Sequence, residues 1–203
     1  MNTPTIHKLN FRFHEDTEGK EYGEPSMITI SCRATLDNNV TAPVGIIKVL
    51  RFWSDMMVPD NENTPLPRNT FLPNNYNMLF ALDDYDGDTG LIMEELEAGE
   101  DEDGVTGDFF CSLISSDLFY LERITVNEYW RSQGIGTQML SALPELLRKK
   151  TKTPNPAIIL IPAPYEMKIE DEGYSLAKDK LCDWYTRHGY TPLFPESSTM
   201  VWF

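Results

Sequence analysis

Between Leu118 and Leu140 the chain passes from a strand-like run, through a short turn, into a helix whose start carries two glycines. The turn and helix mouth read Arg131-Ser132-Gln133-Gly134-Ile135-Gly136-Thr137, shortly after the run Leu121-Glu122-Arg123-Ile124-Thr125-Val126. Glycines at a helix mouth let the backbone come close to a bulky group. The first N–H groups of a helix have no partner inside it, and the helix dipole adds partial positive charge there. A strand that feeds such a mouth makes a site for a phosphate.

A bare G-x-G at a helix start serves a Rossmann-type turn, an ordinary loop or a tight helix–strand contact equally well. The Rossmann fingerprint needs a third glycine three residues after the second, and this chain has Met139 there. A P-loop needs Gly-Lys-Ser/Thr, whereas Gly136 is followed by Thr137 and Gln138. The stretch fits R/Q-x-x-G-x-G/A after a strand that ends in valine, and Arg131, Gln133, Gly134 and Gly136 occupy the motif positions. That pattern resembles the acyl-CoA-binding motif of the GNAT superfamily of N-acetyltransferases. Downstream, Leu181-Cys182-Asp183-Trp184-Tyr185-Thr186-Arg187-His188-Gly189-Tyr190 resembles the same family's L-x-x-F-Y-x-x-x-G-F/Y signature, with Trp184 in the usual Phe place. Between them Ala157-Ile158-Ile159-Leu160-Ile161 is an apolar run short enough for a buried strand.

The resemblance implies an α+β fold, a mixed and mostly antiparallel sheet of about seven strands flanked by helices on both faces. It implies one domain over residues 1–203, with 1–116 as a variable N-terminal half and 117–203 as the acyl-CoA-binding core. In the family the motif strand and the next strand splay apart, and the pantetheine arm lies in the gap. Main-chain groups of Ile124, Thr125 and Val126 would meet that arm, and Arg131, Ser132, Gln133, Gly134, Ile135, Gly136 and Thr137 would cradle the phosphates. The implied activity is transfer of an acetyl group from acetyl-CoA, as cosubstrate, to a primary amine of a small molecule or peptide, by direct attack in a ternary complex. The alternative is a non-catalytic acyl-CoA-binding or regulatory domain that keeps the cradle without turnover.

Such a transfer needs a neutral amine, a polarised carbonyl and a protonated leaving thiolate. Backbone N–H groups near Ile124 or Val126 would stabilise the oxyanion. Tyr185 matches the family's tyrosine that serves as the acid; otherwise a tyrosine beside a tryptophan on a helix is a core residue. Glu122 lies two residues before Ile124, so strand alternation puts both on one face, and a partly desolvated carboxylate there suits a general base. Glu122 pairing with a neighbouring cation, with a water chain as the base, is the other reading. The Asn that often opens the family's second motif has no counterpart in Pro162-Ala163-Pro164-Tyr165-Glu166, so no acceptor is carried over.

The formal charge of −15 argues against a nucleic-acid partner, because phosphate contacts need clustered Lys and Arg. Binding of a polyanionic cofactor must then rest on the helix mouth and Arg131, with distant charge screened within roughly 8 Å. An acidic surface either attracts a cationic amine or keeps the chain soluble. No apolar run suits a membrane span and no signal segment is seen, so a cytoplasmic protein, monomer or homodimer, is expected. Cys32, Cys111 and Cys182 are odd in number and lack a C-x-x-C, as free thiols do, with a catalytic cysteine the minor alternative. His7, His14 and His188 are too scattered for a metal cluster.

The N-terminal half reads as strands. Leu9, Phe11 and Phe13 alternate with polar residues, as do Ile28, Ile30, Cys32 and Ala34. Val44 to Trp53 is apolar on both faces apart from Lys48 and Arg51, and Asp37-Asn38-Asn39 is turn chemistry for a hairpin before it. Prolines 59, 65, 67 and 73 mark a loop over 54–75, either a lid or a surface excursion. Helical signals return from Tyr76 to Ala98 with Asp88 as a cap, then an acidic tract over 94–103 reads as a solvated helix end or a surface for a cation. Further on, Ile135, Met139, Leu143 and Leu146 form a helical stripe that Pro144 should kink or restart, and Arg148-Lys149-Lys150 close that helix against its dipole. A last helix, about Ser175 to His188, ends at Gly189, and Tyr190–Phe194 with Thr199–Phe203 reads as a closing hairpin.

Overall fold

The alternation of the first strands builds one long antiparallel meander. In β1 (Ile6–Asp16), Leu9, Phe11 and Phe13 stand opposite Ala34, Cys32 and Ile30 of β2 (Ser26–Leu36), and all six pack on one face. Asp37 and Asn39 turn the chain, with Asn39 left-handed at φ 56° and Leu36 N–H donating to Val40 O at 2.9 Å. β3 (Thr41–Phe52) returns antiparallel to β2, and β4 (Leu118–Val126) runs antiparallel to β3. β5 (Ala157–Leu160) joins β4 in parallel, and β7 (Met200–Trp202) and β6 (Thr191–Pro192) close the sheet as the expected hairpin. The strand order is β1-β2-β3-β4-β5-β7-β6, a mixed seven-stranded sheet in an α+β chain. This computed structural model describes residues 4–17, 25–37, 39–53, 89–92, 95, 117–194 and 197–203.

Two helices cover one face. α1 (Ile135–Thr151) crosses from β4 to β5 and buries Met139, Leu140, Leu143 and Leu147 against Ile47, Val49, Phe119 and Ile158. It runs unbroken through Pro144, so it does not restart there. A proline removes one N–H, and here its ring is buried on the face that packs on the sheet, so tertiary contact outweighs the lost bond. α2 (Tyr174–Thr186) packs Cys182, Trp184 and Tyr185 against the same cluster. It ends in a Schellman turn: Tyr190 N–H donates to Tyr185 O at 3.2 Å and Gly189 N–H to Thr186 O at 3.0 Å, with Gly189 at φ 88°. The opposite face has its own cluster, Leu50, Phe52, Leu118, Tyr120 and Ile159, joined by Ile92 of the helical residues 89–92.

The 54–75 loop, most of the helix expected over 76–98, most of the acidic tract and Cys111 lie outside the described residues. Glu95, from that tract, is described, and it is not a solvated charge. Its carboxylate accepts hydrogen bonds from Ser197 Oγ and from the N–H and Oγ of Ser198. Burial pushes its pKa up, but hydrogen bonds from residues 197–199 outweigh that and hold it below the ordinary value. No helix among the described residues is long and apolar enough to cross a membrane.

A charged knot ties the ends of these elements together. Arg51 of β3 donates to Asp117 Oδ2 at 2.6 Å, to Glu15 Oε1 of β1 at 3.1 Å and to the Thr151 carbonyl at the end of α1 at 3.4 Å. Ser26 Oγ adds a bond to Glu15 at 2.6 Å, and Thr153 Oγ1 one to Asp117 at 2.8 Å. The side chains of Arg51, Glu15 and Asp117 are only 14%, 15% and 12% exposed. Removing the cation would leave two desolvated carboxylates facing each other. Arg51→Met is therefore expected to lower unfolding free energy by about 3–5 kcal/mol in urea titration. A loss under about 1 kcal/mol would mean that water screens the knot as it does surface pairs.

Candidate functional site

β4 pairs with β5 over three positions only, Leu118 with Ala157, Phe119 with Ile158 and Tyr120 with Ile159. Beyond these, Leu121–Val126 keeps its β3 partner on one edge and has no strand on the other among the described residues. Past Leu160 the chain leaves the sheet and travels through residues 161–173 to α2. The parting opens a cleft of about 1090 Å³ between β4, the mouth of α1, this connection and α2.

The register of β4 slips inside the cleft. Val49 stands opposite Leu121 while its neighbour Lys48 stands opposite Arg123, so Glu122 is the extra residue of a β-bulge. Phe119 and Leu121 face the α1 side before the bulge, and Ile124 and Val126 face it afterwards. Alternation therefore does not carry from Glu122 to Ile124, and the expected shared face is corrected to Leu121 with Ile124. Glu122 still lines the cleft, with Oε1 3.8 Å from Arg123 Nη2.

The helix mouth is built by backbone conformations that side chains resist. Asn127 N–H donates to Val44 O at 2.9 Å, a 3-10 turn (Glu128–Trp130) follows, and Ser132 adopts φ 61°. Gly134 is the N-cap of α1 at φ 73°, a left-handed conformation that suits glycine, and it supplies no side-chain cap. The N-cap residue thus offers the first N–H groups no side-chain acceptor, and Gly134 to Thr137 line the cleft. At Gly136 a Cβ would stand 3.7 Å from both Trp184 Cζ2 and Val126 Cγ2, room for a methyl group and little more. Trp184 Nε1 donates to Thr137 Oγ1 at 3.3 Å, which ties α2 to the first turn of α1.

Tyr185 reaches the cleft from the next position of α2. Its ring packs on Trp184 at 4.9 Å and on Tyr190 at 5.5 Å between centroids. Burial, with a smaller contribution from Cys182, pushes the phenol up to about 12, so it is protonated throughout the neutral range. Cys32 is buried and pushed up to about 11, and burial also raises Cys182, as inert thiols require.

Every residue singled out from the sequence lines this cleft except Gln133. Gln133 borders a separate recess of about 720 Å³ against residues 4–9, where its Nε2 donates to Tyr129 O at 3.2 Å. Arg131 is already engaged: Nη2 lies 2.6 Å from Glu166 Oε1 and Nε donates to Val126 O at 3.2 Å. The hydrogen bond from Arg131 holds the Glu166 carboxyl below its ordinary value. Sequence reasoning missed Arg123, Tyr165, Glu166 and Gly45, and it noted Lys48 only as a polar exception in an apolar strand. Lys48 and Arg123 line the cleft too, so its positive charge does not rest on Arg131 and the helix mouth alone.

Comparison with protein-family models, with curated proteins and with solved structures finds no match to this chain. Gly45 fixes how closely β3 and β4 approach at the head of the cleft. A Cβ there would stand 2.5 Å from the Thr125 carbonyl oxygen and 2.9 Å from Met139 Sδ. Backbone cannot yield as a flexible side chain does, so Gly45→Ala is expected to cost about 1–3 kcal/mol, a drop of several degrees in melting temperature. An unchanged melting curve would contradict this close approach.

Proposed function

We propose that the protein is an acetyl-CoA-dependent N-acetyltransferase of the GNAT type, acting on a primary amine. One observation carries the reading. The edge of β4 that has no strand beside it among the described residues, the glycine mouth of α1 and Tyr185 line one and the same cleft. The residues fit the cosubstrate: the first turn of α1 receives its phosphates, and the free β4 edge offers main-chain partners to an amide-bearing arm.

Each residue then has a stated task. Backbone groups of Ile124 to Val126 hold the thioester carbonyl and donate to its oxygen as that oxygen gains charge. The amine nitrogen bonds to the acetyl carbon, the carbon–sulfur bond breaks, and one amine proton is lost while the sulfur gains one. Glu122, at the bulge beside Arg123, accepts the amine proton directly or through water. Tyr185 faces the leaving sulfur. With its phenol near 12, complete transfer to a thiolate of pKa about 8.5 is uphill by roughly 5 kcal/mol, so Tyr185 acts first as a hydrogen-bond donor. The sulfur is thereby stabilised while it leaves, and the proton follows as the thiolate finds bulk acid.

Two variants separate catalysis from binding. Tyr185→Phe is expected to lower kcat about 100-fold while calorimetric affinity for acetyl-CoA stays within about twofold. Retained turnover would remove Tyr185 from the chemistry and favour a binding module. Gly134→Glu puts a carboxylate at the anion mouth and should abolish acetyl-CoA binding; undiminished binding would remove the cradle. The pH profile provides a third check. The active form of Tyr185 is the protonated one, so kcat should rise as the amine deprotonates and show no alkaline fall below about pH 11. A descending limb near pH 9–10, roughly where an ordinary phenol titrates, would contradict the raised phenol.

A further inference from the structure

Lys48 and Arg123 stand directly opposite each other in the β3–β4 ladder, and both line the cleft. Like charges in that position repel, because directly opposed side chains share one face of the sheet. Lys48 is half-buried, and its side chain makes no hydrogen bond or ion pair with another described residue. Arg123 lies with its guanidinium carbon 3.6 Å from the centre of the Tyr165 ring, and its Nη2 forms a long ion pair with Glu122 Oε1 at 3.8 Å. Stacking fixes the plane of the guanidinium and leaves the N–H groups at its edge to donate.

The pair also lies away from the mouth of α1. Lys48 shares its face of β3 with Leu50 and Phe52, which belong to the cluster opposite α1, whereas Ile47 and Val49 face α1. The cleft is lined from both faces, by Met27, Lys48 and Tyr120 on one and by Gly134, Gly136 and Trp184 on the other. It therefore passes through the gap between β4 and β5. On the acetyltransferase reading the phosphates take the α1 end, which leaves Lys48 and Arg123 together at the other.

Resting on the acetyltransferase reading, we infer that the acceptor is an amine that carries its own oxyanion, a carboxylate or a phosphate, bound by Lys48 and Arg123. The amine of such a molecule sits toward Glu122, whose carboxylate adjoins Arg123 at the bulge. A polyamine, by contrast, brings positive charge against two cations. The acidic character of the whole chain thus gives the wrong sign for the acceptor end, because exposed charges farther than a Debye length are screened.

The test is a matched acceptor panel with acetyl-CoA, read by thiol release: glycine against glycinamide, β-alanine against its amide, phosphoethanolamine against ethanolamine, and spermidine. At least one oxyanion-bearing amine is expected to exceed its uncharged partner by about tenfold or more in kcat/KM, carried mainly by KM. The glycine and phosphoethanolamine arms distinguish carboxylate from phosphate. In Lys48→Met that preference should collapse, and in Lys48→Glu spermidine should become the better substrate; Lys48→Gln replaces either variant that fails to fold by circular dichroism. Equal preference in the wild type, an unchanged preference in the Lys48 variants, or turnover confined to uncharged and cationic amines would overturn the inference. Failure of the wild type to bind acetyl-CoA by calorimetry would instead overturn the acetyltransferase reading on which it rests.

Discussion

The cleft exists because one strand is paired fully on one side and only at its base on the other. Backbone N–H and C=O groups demand partners, so a strand that abandons its neighbour halfway must be held by something else. β4 is held along its whole length by β3, and its first residues are held by β5 as well. Its entry is pinned by Arg51, which gathers Asp117, Glu15 and the last carbonyl of α1 into one partly buried group. The opening is thereby confined to Leu121–Val126. Without the pin, the same missing pairs would be free to spread toward the base of the strand.

The bulge at Glu122 follows from the same constraint. A pleated strand turns alternate side chains to opposite faces, and a single extra residue exchanges them. Before the slip β4 commits Phe119 and Leu121 to the α1 side, and after it Ile124 and Val126. Apolar residues thus cover α1's side of the sheet along the full strand. Glu122 and Arg123 are delivered together to the point where the strands part. Two ionisable groups in succession, on a strand otherwise sealed by its neighbours, are tolerable only where a cleft wets them.

What local spacing could reveal was the content of each element and its ends. The helix mouth at Gly134, the Schellman turn at Gly189, the Asp37 hairpin and the closing pair of strands all rest on residues within a few positions of each other. The features that escaped rest on register between distant strands. Gly45 reads as an ordinary strand glycine until Thr125 is set 2.5 Å from its missing Cβ. Lys48 reads as a lone exception until it is placed opposite Arg123, 75 positions along the chain from it. Glu166 shows no motif at all, and its meaning comes only from Arg131 at 2.6 Å. Glu95 looked like part of a solvated acidic run, yet the turn at residues 197–199 gives it a hydrogen-bonded place.

The ion pair of Arg131 with Glu166 joins the mouth of α1 to the connection that leads into α2, across the opening where phosphates would enter. Both groups are exposed, with side chains 47% and 69% accessible, so water and salt weaken the pair. Under the proposed reading, a phosphate at the α1 mouth would compete with Glu166 for Arg131, with the first helix N–H groups acting on it at contact range. Tyr165, the neighbour of Glu166, stacks on Arg123 at the far end of the cleft. One short connection thus touches two cations, Arg123 through Tyr165 and Arg131 through its neighbour Glu166.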